Sequence, residues 1–140
     1  MKIGLFKVHA IWHEDFEIHD YNSGKNVWDI KITIGVDKAA QPKEHIITVC
    51  FDLLRLKLTK QARIKVYTQY WVTSETSTFN PLNDTDFYFY ADLIKSACDH
   101  ARVIIDTVFK GTVMQGEYLK IDPIQKYYLD VKNGHVKFLN

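Results

Sequence analysis

Cysteine and charge imbalance are both scarce in this chain, and each scarcity removes a class of function. Two of the 140 residues are cysteines, Cys50 and Cys98. They stand too far apart for a CxxC motif, and two lone thiols fit a reducing compartment, so a cytoplasmic location is expected. Eighteen basic against 17 acidic side chains leave a net charge of +1. That lacks the basic footprint of a dedicated nucleic-acid binder. No apolar run approaches the ~18 residues that a membrane helix needs, so no membrane insertion is expected. Lys7 and His9 interrupt "MKIGLFKVHAIWHE" before the apolar stretch of a secretory leader forms. GxSxG, P-loop, GxGxxG and HExxH patterns are all missing, and with them the usual parts for nucleophilic, nucleotide and zinc-hydrolase chemistry. Cys98 and His100, two apart, do not share a helix face and make a poor nucleophile–base pair. The expectation is a protein that is not an enzyme and needs no cofactor or metal.

Aromatic residues, by contrast, are plentiful: eight Phe, eight Tyr and three Trp make 14% of the chain. The length suits one domain, residues 1–140, able to bury about two-thirds of its unfolded surface. Such a core uses many of those rings. The surplus hints at a surface that handles apolar partners.

"HAIWHEDFEIH", residues 9–19, packs three histidines and three carboxylates together. His9 and His13 have the four-residue spacing of helical zinc ligands, so secondary structure decides their meaning. By parity, Val8, Ala10, Trp12, Phe16 and Ile18 fall on one side; Lys7, His9, His13, Asp15, Glu17 and His19 fall on the other. Glu14 and Ile11 are the exceptions. This is strand periodicity. Strand residues four apart lie ~13 Å from each other, too far to share a metal that wants bonds of ~2 Å. A solvated strand face is therefore expected, with Glu14 and Asp15 pointing to opposite sides.

Three more strand-like segments follow. "VWDIKITIGV" sets Trp28, Ile30, Ile32, Ile34 and Val36 inward. "HIITVCFDLLRLKL" sets Ile47, Val49, Phe51 and Leu53 on one face, then changes parity to Leu54, Leu56 and Leu58, which predicts a bulge or corner near Leu53–Leu54. "ARIKVYTQYWVT" sets Ala62, Ile64, Val66, Tyr70 and Val72 against Arg63, Lys65, Tyr67, Gln69 and Trp71. Short turns favour antiparallel pairing. After "SETSTFNPLNDT", a stripe from Phe87 and Tyr90 through Ile94, Ala97, Cys98, Ala101 and Ile105 to Val108 predicts a long helix. Asn83, Asp84 or Thr85 can cap it, and Gly111 can end it in a left-handed turn. The tail allows two readings. Asn133-Gly134 suits a hairpin. Alternatively, Asp122 caps a helix with Pro123 at its first position; Ile124, Tyr127, Tyr128 and Val131 make its stripe, and Gly134 ends it. The helix accounts for more residues and is preferred. The fold class is α+β, a four-stranded antiparallel sheet followed by one long and one short helix.

That order of elements, with "SACDHARVIIDTVFKGTVMQGEYLKIDP", resembles the SecB-like chaperones. Arg102, Gly111, Thr112, Leu119, Ile121, Asp122 and Pro123 look like the family's positions. Lys120 stands where proline is frequent, and the chain ends in "HVKFLN" rather than a basic motor-binding tail. The resemblance is to divergent SecB-like proteins, including those paired with toxin–antitoxin systems, more than to the export chaperone proper. It implies unfolded polypeptides as clients, a homodimer or homotetramer, and a translocation motor or an antitoxin as a further partner. Tyr67, Trp71, Phe79, Phe87 and Phe89 are the candidate client-binding residues. Arg102, Gly111, Thr112, Asp122 and Pro123 are the candidate structural ones. The alternative is a small-ligand domain, with Trp12, Trp28, Tyr70 and Tyr90 lining an apolar pocket between sheet and helix.

Overall fold

The computed structural model describes residues 3–38, 43–74 and 84–139. Asn83 and Phe79, named above, lie outside them. The chain forms β1 (Ile3–Asp20), β2 (Asn26–Lys38), β3 (Glu44–Lys57), β4 (Lys60–Ser74), α1 (Asp84–Phe109), α2 (Pro123–Lys132) and β5 (Lys137–Leu139). The expected α+β class, four antiparallel strands followed by a long and a short helix, is what is found.

The sheet order is β1-β4-β3-β2-β5. Strands β2 to β4 form a meander and β1 lies beside β4, a Greek-key order. Consecutive strands β1 and β2 are thus three strand spacings apart, ~14 Å. Residues 21–25 cross that gap beneath the β3–β4 turn. Tyr21 donates its backbone N–H to Thr59 O, and Leu58 donates to Lys25 O.

One face of the sheet is the core. Ile30, Ile32 and Ile34 of β2, Ile47, Val49, Phe51 and Leu53 of β3, and Ile64, Val66, Tyr70 and Val72 of β4 are all buried. The α1 residues Tyr90, Leu93, Ile94, Ala97, Cys98, Ala101, Ile105 and Phe109 are buried in the same cluster. Tyr70 anchors the two layers, its Oη donating to Ser96 Oγ at 2.9 Å. Trp28 stacks on Phe109 at 6.3 Å and Phe16 lies 5.7 Å from the same ring. Gly111, at φ 76°, then turns the chain out of the helix as expected, and the Thr112 hydroxyl donates to Phe109 O at 2.7 Å.

Two expectations need correction. First, β1 does not keep one parity. Its register against β4 slips three times, between Ile3 and Phe6, between Val8 and Ala10, and between Glu14 and Glu17. Asp15 sits at the last slip with φ 57°, a conformation that aspartate tolerates better than most. Each extra residue inverts the faces. Ala10, Trp12 and Glu14 therefore join the side away from α1, while Ile11 and His13 pair with Thr68 and Val66 on the helix side. The two exceptions to the alternation, Ile11 and Glu14, are what the slips produce. Asp15 also comes within 3.7 Å of Lys65, the residue that Glu14 faces, so these carboxylates converge rather than diverge.

Second, β3 has no bulge: its register runs unbroken against both neighbours from His45 to Lys57. Leu54 and Leu56 simply fall on the other face. Arg55 takes the helix-side position and pairs with Glu117 at 2.9 Å, its guanidinium 5.7 Å from the Trp28 ring centre.

The tail forms the helix that the sequence favours, and not the alternative hairpin. Asp122 caps α2, accepting from the N–H groups of Ile124 and Gln125 at 3.1 Å each. At the other end Gly134, φ 70°, donates to Val131 O, and His135 donates to Asp130 O. This paired closure is a Schellman motif. Residues past it then run as β5, parallel to β2, with Lys137, Phe138 and Leu139 opposite Thr33, Ile34 and Gly35. A two-residue turn cannot make a parallel pair. The intervening chain, including both helices, is the crossover that such pairing requires.

Candidate functional site

The sheet face away from α1 and α2 carries the even-numbered side chains of β3 and the odd-numbered ones of β4. Neither helix covers it. Tyr67 and Trp71 both project there, half-buried. Trp12 stacks on Tyr67 with ring centres 5.0 Å apart and planes 5° from parallel. His9 meets Trp71 edge-on at 5.4 Å, and the Trp71 Nε1–H donates to His9 Nδ1 at 2.6 Å. Strand pairing places Cys50 beside Tyr67 and Ile46 beside Trp71. A row of aromatic rings therefore crosses β1 and β4 and continues onto β3 through aliphatic side chains. Lys65, Arg63, Glu14 and Asp52 border it with mixed charge.

The middle of that row stays neutral. Burial pushes the Cys50 thiol up to about 11, only partly opposed by its hydrogen bond with Tyr67. Burial also raises the Tyr67 hydroxyl well above the phenolic range, with the Cys50 and Glu14 neighbours adding to it. Neither group ionises near neutral pH, and neither is poised as a nucleophile.

At the far end of β1, β3 and β4 the row opens into a trough of ≈ 510 Å³ bounded by Phe6, Lys7, Glu44, Trp71, Val72 and Thr73. Around the sheet edge, Phe6, Val8 and Ile11 of β1 remain 36–43% exposed. Phe6 sits edge-on to Tyr70 at 5.6 Å and 6.2 Å from Phe89.

The named client residues thus separate. Tyr67 and Trp71 belong to the open face. Phe89 borders the β1 side of α1. Phe87 stacks on Tyr127 at 5.3 Å and meets Tyr128 edge-on, which places it in the α1–α2 contact. Trp12, His9 and Phe6 are the additions. Their only signal in the sequence was the two irregularities in the β1 alternation. The pocket of Trp12, Trp28, Tyr70 and Tyr90 does not assemble: Tyr70 and Tyr90 are fully buried and Trp12 lies on the opposite face. His9 and His13 also face opposite ways. Among the described residues no cluster of three or more His, Cys, Asp or Glu could hold a metal.

Arg102 is a clamp rather than a surface group. Its Nε donates to Leu119 O at 3.1 Å and its Nη2 to Ile121 O at 2.8 Å. It also meets Asp99 at 3.3 Å and lies over the Tyr118 ring, 5.5 Å from its centre. Glu117, held by Arg55 and Lys57, and the Trp28 Nε1–H, donated to Tyr118 O at 3.1 Å, fasten the other side of the same segment. Arg102 thereby aims the chain at Asp122 and Pro123, where α2 begins.

Comparison with solved structures places this architecture. The chain is similar to the M. tuberculosis SecB-like chaperone Rv1957, solved in complex with a ChAD peptide from the Rv1956 HigA1 antitoxin. The TM-score is 0.54 at 10% identity, covering 84% of this chain and 89% of that one. The fold is SecB-like. A protein of unknown function from Streptococcus agalactiae shares it, with a TM-score of 0.58 at 6% identity over 86% of this chain and 100% of the other. At such identities the likeness is one of fold. No family model and no curated protein matches the chain.

Proposed function

We propose that this SecB-like chain is a non-enzymatic chaperone that holds unfolded or partly folded polypeptides on the open face of its sheet. The observation that carries the reading is the half-buried aromatic row of Trp12, Tyr67 and Trp71, which neither helix covers, with the trough at its end. Covering ~300 Å² of apolar client surface contributes about 7–8 kcal/mol at ~25 cal/mol/Å². Association and ordering costs of several kcal/mol consume much of it. Single contacts are therefore weak, and useful affinity comes from several sites on one client. Apolar burial is not directional, so such holding tolerates many sequences.

The SecB-like neighbour solved with an antitoxin peptide supports clients of this kind, and a dedicated antitoxin is one form the client takes. A homodimer or homotetramer, in the cytoplasm, fits the reading. The exposed Phe6, Val8 and Ile11 stripe lies on β1, an 18-residue edge strand, and long apolar edges are rarely left unpaired.

The test is suppression of aggregation. Near equal molar ratio, the chain should suppress light scattering by an unrelated unfolding protein. Tyr67→Ser with Trp71→Ser should lose most of that effect while keeping the parent's thermal midpoint within a few degrees. Full suppression by the double variant would refute the assignment.

A further inference from the structure

We infer that the outer edge of β2 around Thr33–Gly35 is a docking site for an extended polypeptide strand, which residues 137–139 of the chain itself occupy in competition with a client. The inference deepens the holding reading by naming a second contact and its regulation.

The edge is already seen to accept a strand. β2 spans 13 residues, yet β5 pairs with only Thr33, Ile34 and Gly35. That pairing is parallel, the slightly weaker mode per residue. β5 is three residues long and follows directly on the helix-ending turn at Gly134. Its hold comes from its tether and from Val136, which is 9% exposed. So short a strand is a seated ligand more than a structural member.

The receiving positions suit a second backbone. Ile34 is fully buried, so the register position opposite it lies at the margin of the core. Gly35 interrupts a run of β-branched residues, "ITIGV". An added Cβ there would meet Thr48 O at 4.0 Å, ordinary contact, so the position accepts a side chain and suits the cysteine used below. Strand addition at an edge draws affinity from main-chain hydrogen bonds and preference from alternate side chains. The occupant is therefore an extended segment of an unfolded polypeptide, with an apolar residue opposite Ile34, as the chain's own Phe138 stands in register.

The experiment uses a labelled peptide of residues 135–140, "HVKFLN", and reads fluorescence anisotropy. A chain ending at Gly134 should bind it, and the full chain should bind it at least about tenfold more weakly, because a bound tail reduces the competent fraction. A full-length Gly35→Cys, Leu139→Cys variant, with Cys50→Ser and Cys98→Ala to prevent mispairing, keeps the inference testable if the shortened chain fails to fold. Oxidation should lock the tail and abolish binding, and reduction should restore it. Equal binding by locked and reduced forms, or by shortened and full chains, would overturn the inference, as would no binding to any form. The same proteins are then mixed with an unfolding client. If the peptide binds the open edge while no form restrains aggregation, the edge site stands and the holding reading falls. If every form restrains aggregation equally, holding stands and the competition falls.

Discussion

Replacing Arg102 with methionine removes the clamp between α1 and the segment leading to α2 while keeping the aliphatic stem. Two charge-assisted hydrogen bonds, to Leu119 O and Ile121 O, are worth roughly 1.5–3 kcal/mol each. The guanidinium over Tyr118 adds ~0.5–1 kcal/mol. The exposed i, i+3 pair with Asp99 adds ~0.2–0.5 kcal/mol. The gross loss is about 4–7 kcal/mol. Leu119 is buried but Ile121 only partly so, and water entering beside the freed carbonyls recovers part of it. A net loss of about 2–4 kcal/mol is expected. Unfolding entropy of ~2.1 cal/mol/K per residue gives about 0.3 kcal/mol per degree for a chain of this length. The thermal midpoint should therefore fall by roughly 7–14 °C, followed by circular dichroism at 222 nm. Arg102→Lys, whose compact ammonium cannot span both carbonyls, should recover no more than about half. An Arg102→Met midpoint within 2 °C of the parent would refute the clamp, and so would full recovery by lysine.

Asp122→Ala removes the acceptor for two N–H groups at the start of α2 and should cost about 1 kcal/mol in urea unfolding, with an unchanged m-value. Burial tends to raise the Glu117 carboxyl, but hydrogen bonds from Lys57 and Arg55 outweigh it and hold the group below its ordinary 4.5. Its stabilisation is then present above that value and lost as pH falls through the depressed folded value. Glu117→Gln should lower stability at pH 7 and flatten the decline between about pH 5 and 3. An acid limb identical to the parent's would show that Glu117 does not contribute. Gly134→Ala, at φ 70°, should cost about 1 kcal/mol, measured the same way.

Where one interaction dominated, the sequence could be read directly. The β2 and β4 alternations, the α1 stripe, the Gly111 turn and the Asp122 cap all match the structure, because burial and capping act locally there. β1 defeated a simple parity rule. The two slips that flank Ala10–Glu14 leave no mark except a misplaced Ile11 and Glu14, so parity puts Trp12 in the core when it belongs to the open row. In β3 the opposite error arose. The leucine run suggested a bulge, but a regular strand carries Leu54 and Leu56 on the open face and spends its helix-side position on Arg55. The partner that makes this tolerable, Glu117, is 62 residues away and invisible to local patterning. β5 was missed for the same reason: three residues have no periodicity, and parallel pairing with β2 is a tertiary fact. Tyr67 and Trp71 were legible as a face, though not which face the helices would cover.

The most direct test asks whether a client covers the open row. In a Trp28→Phe background, Trp12 and Trp71 are the remaining tryptophans and both report on that face. Adding a reduced, unfolded protein free of tryptophan should shift their emission to the blue and cut acrylamide quenching at least about twofold, saturating with client concentration. Unchanged emission and quenching, while the chain still keeps that client in solution, would contradict the account.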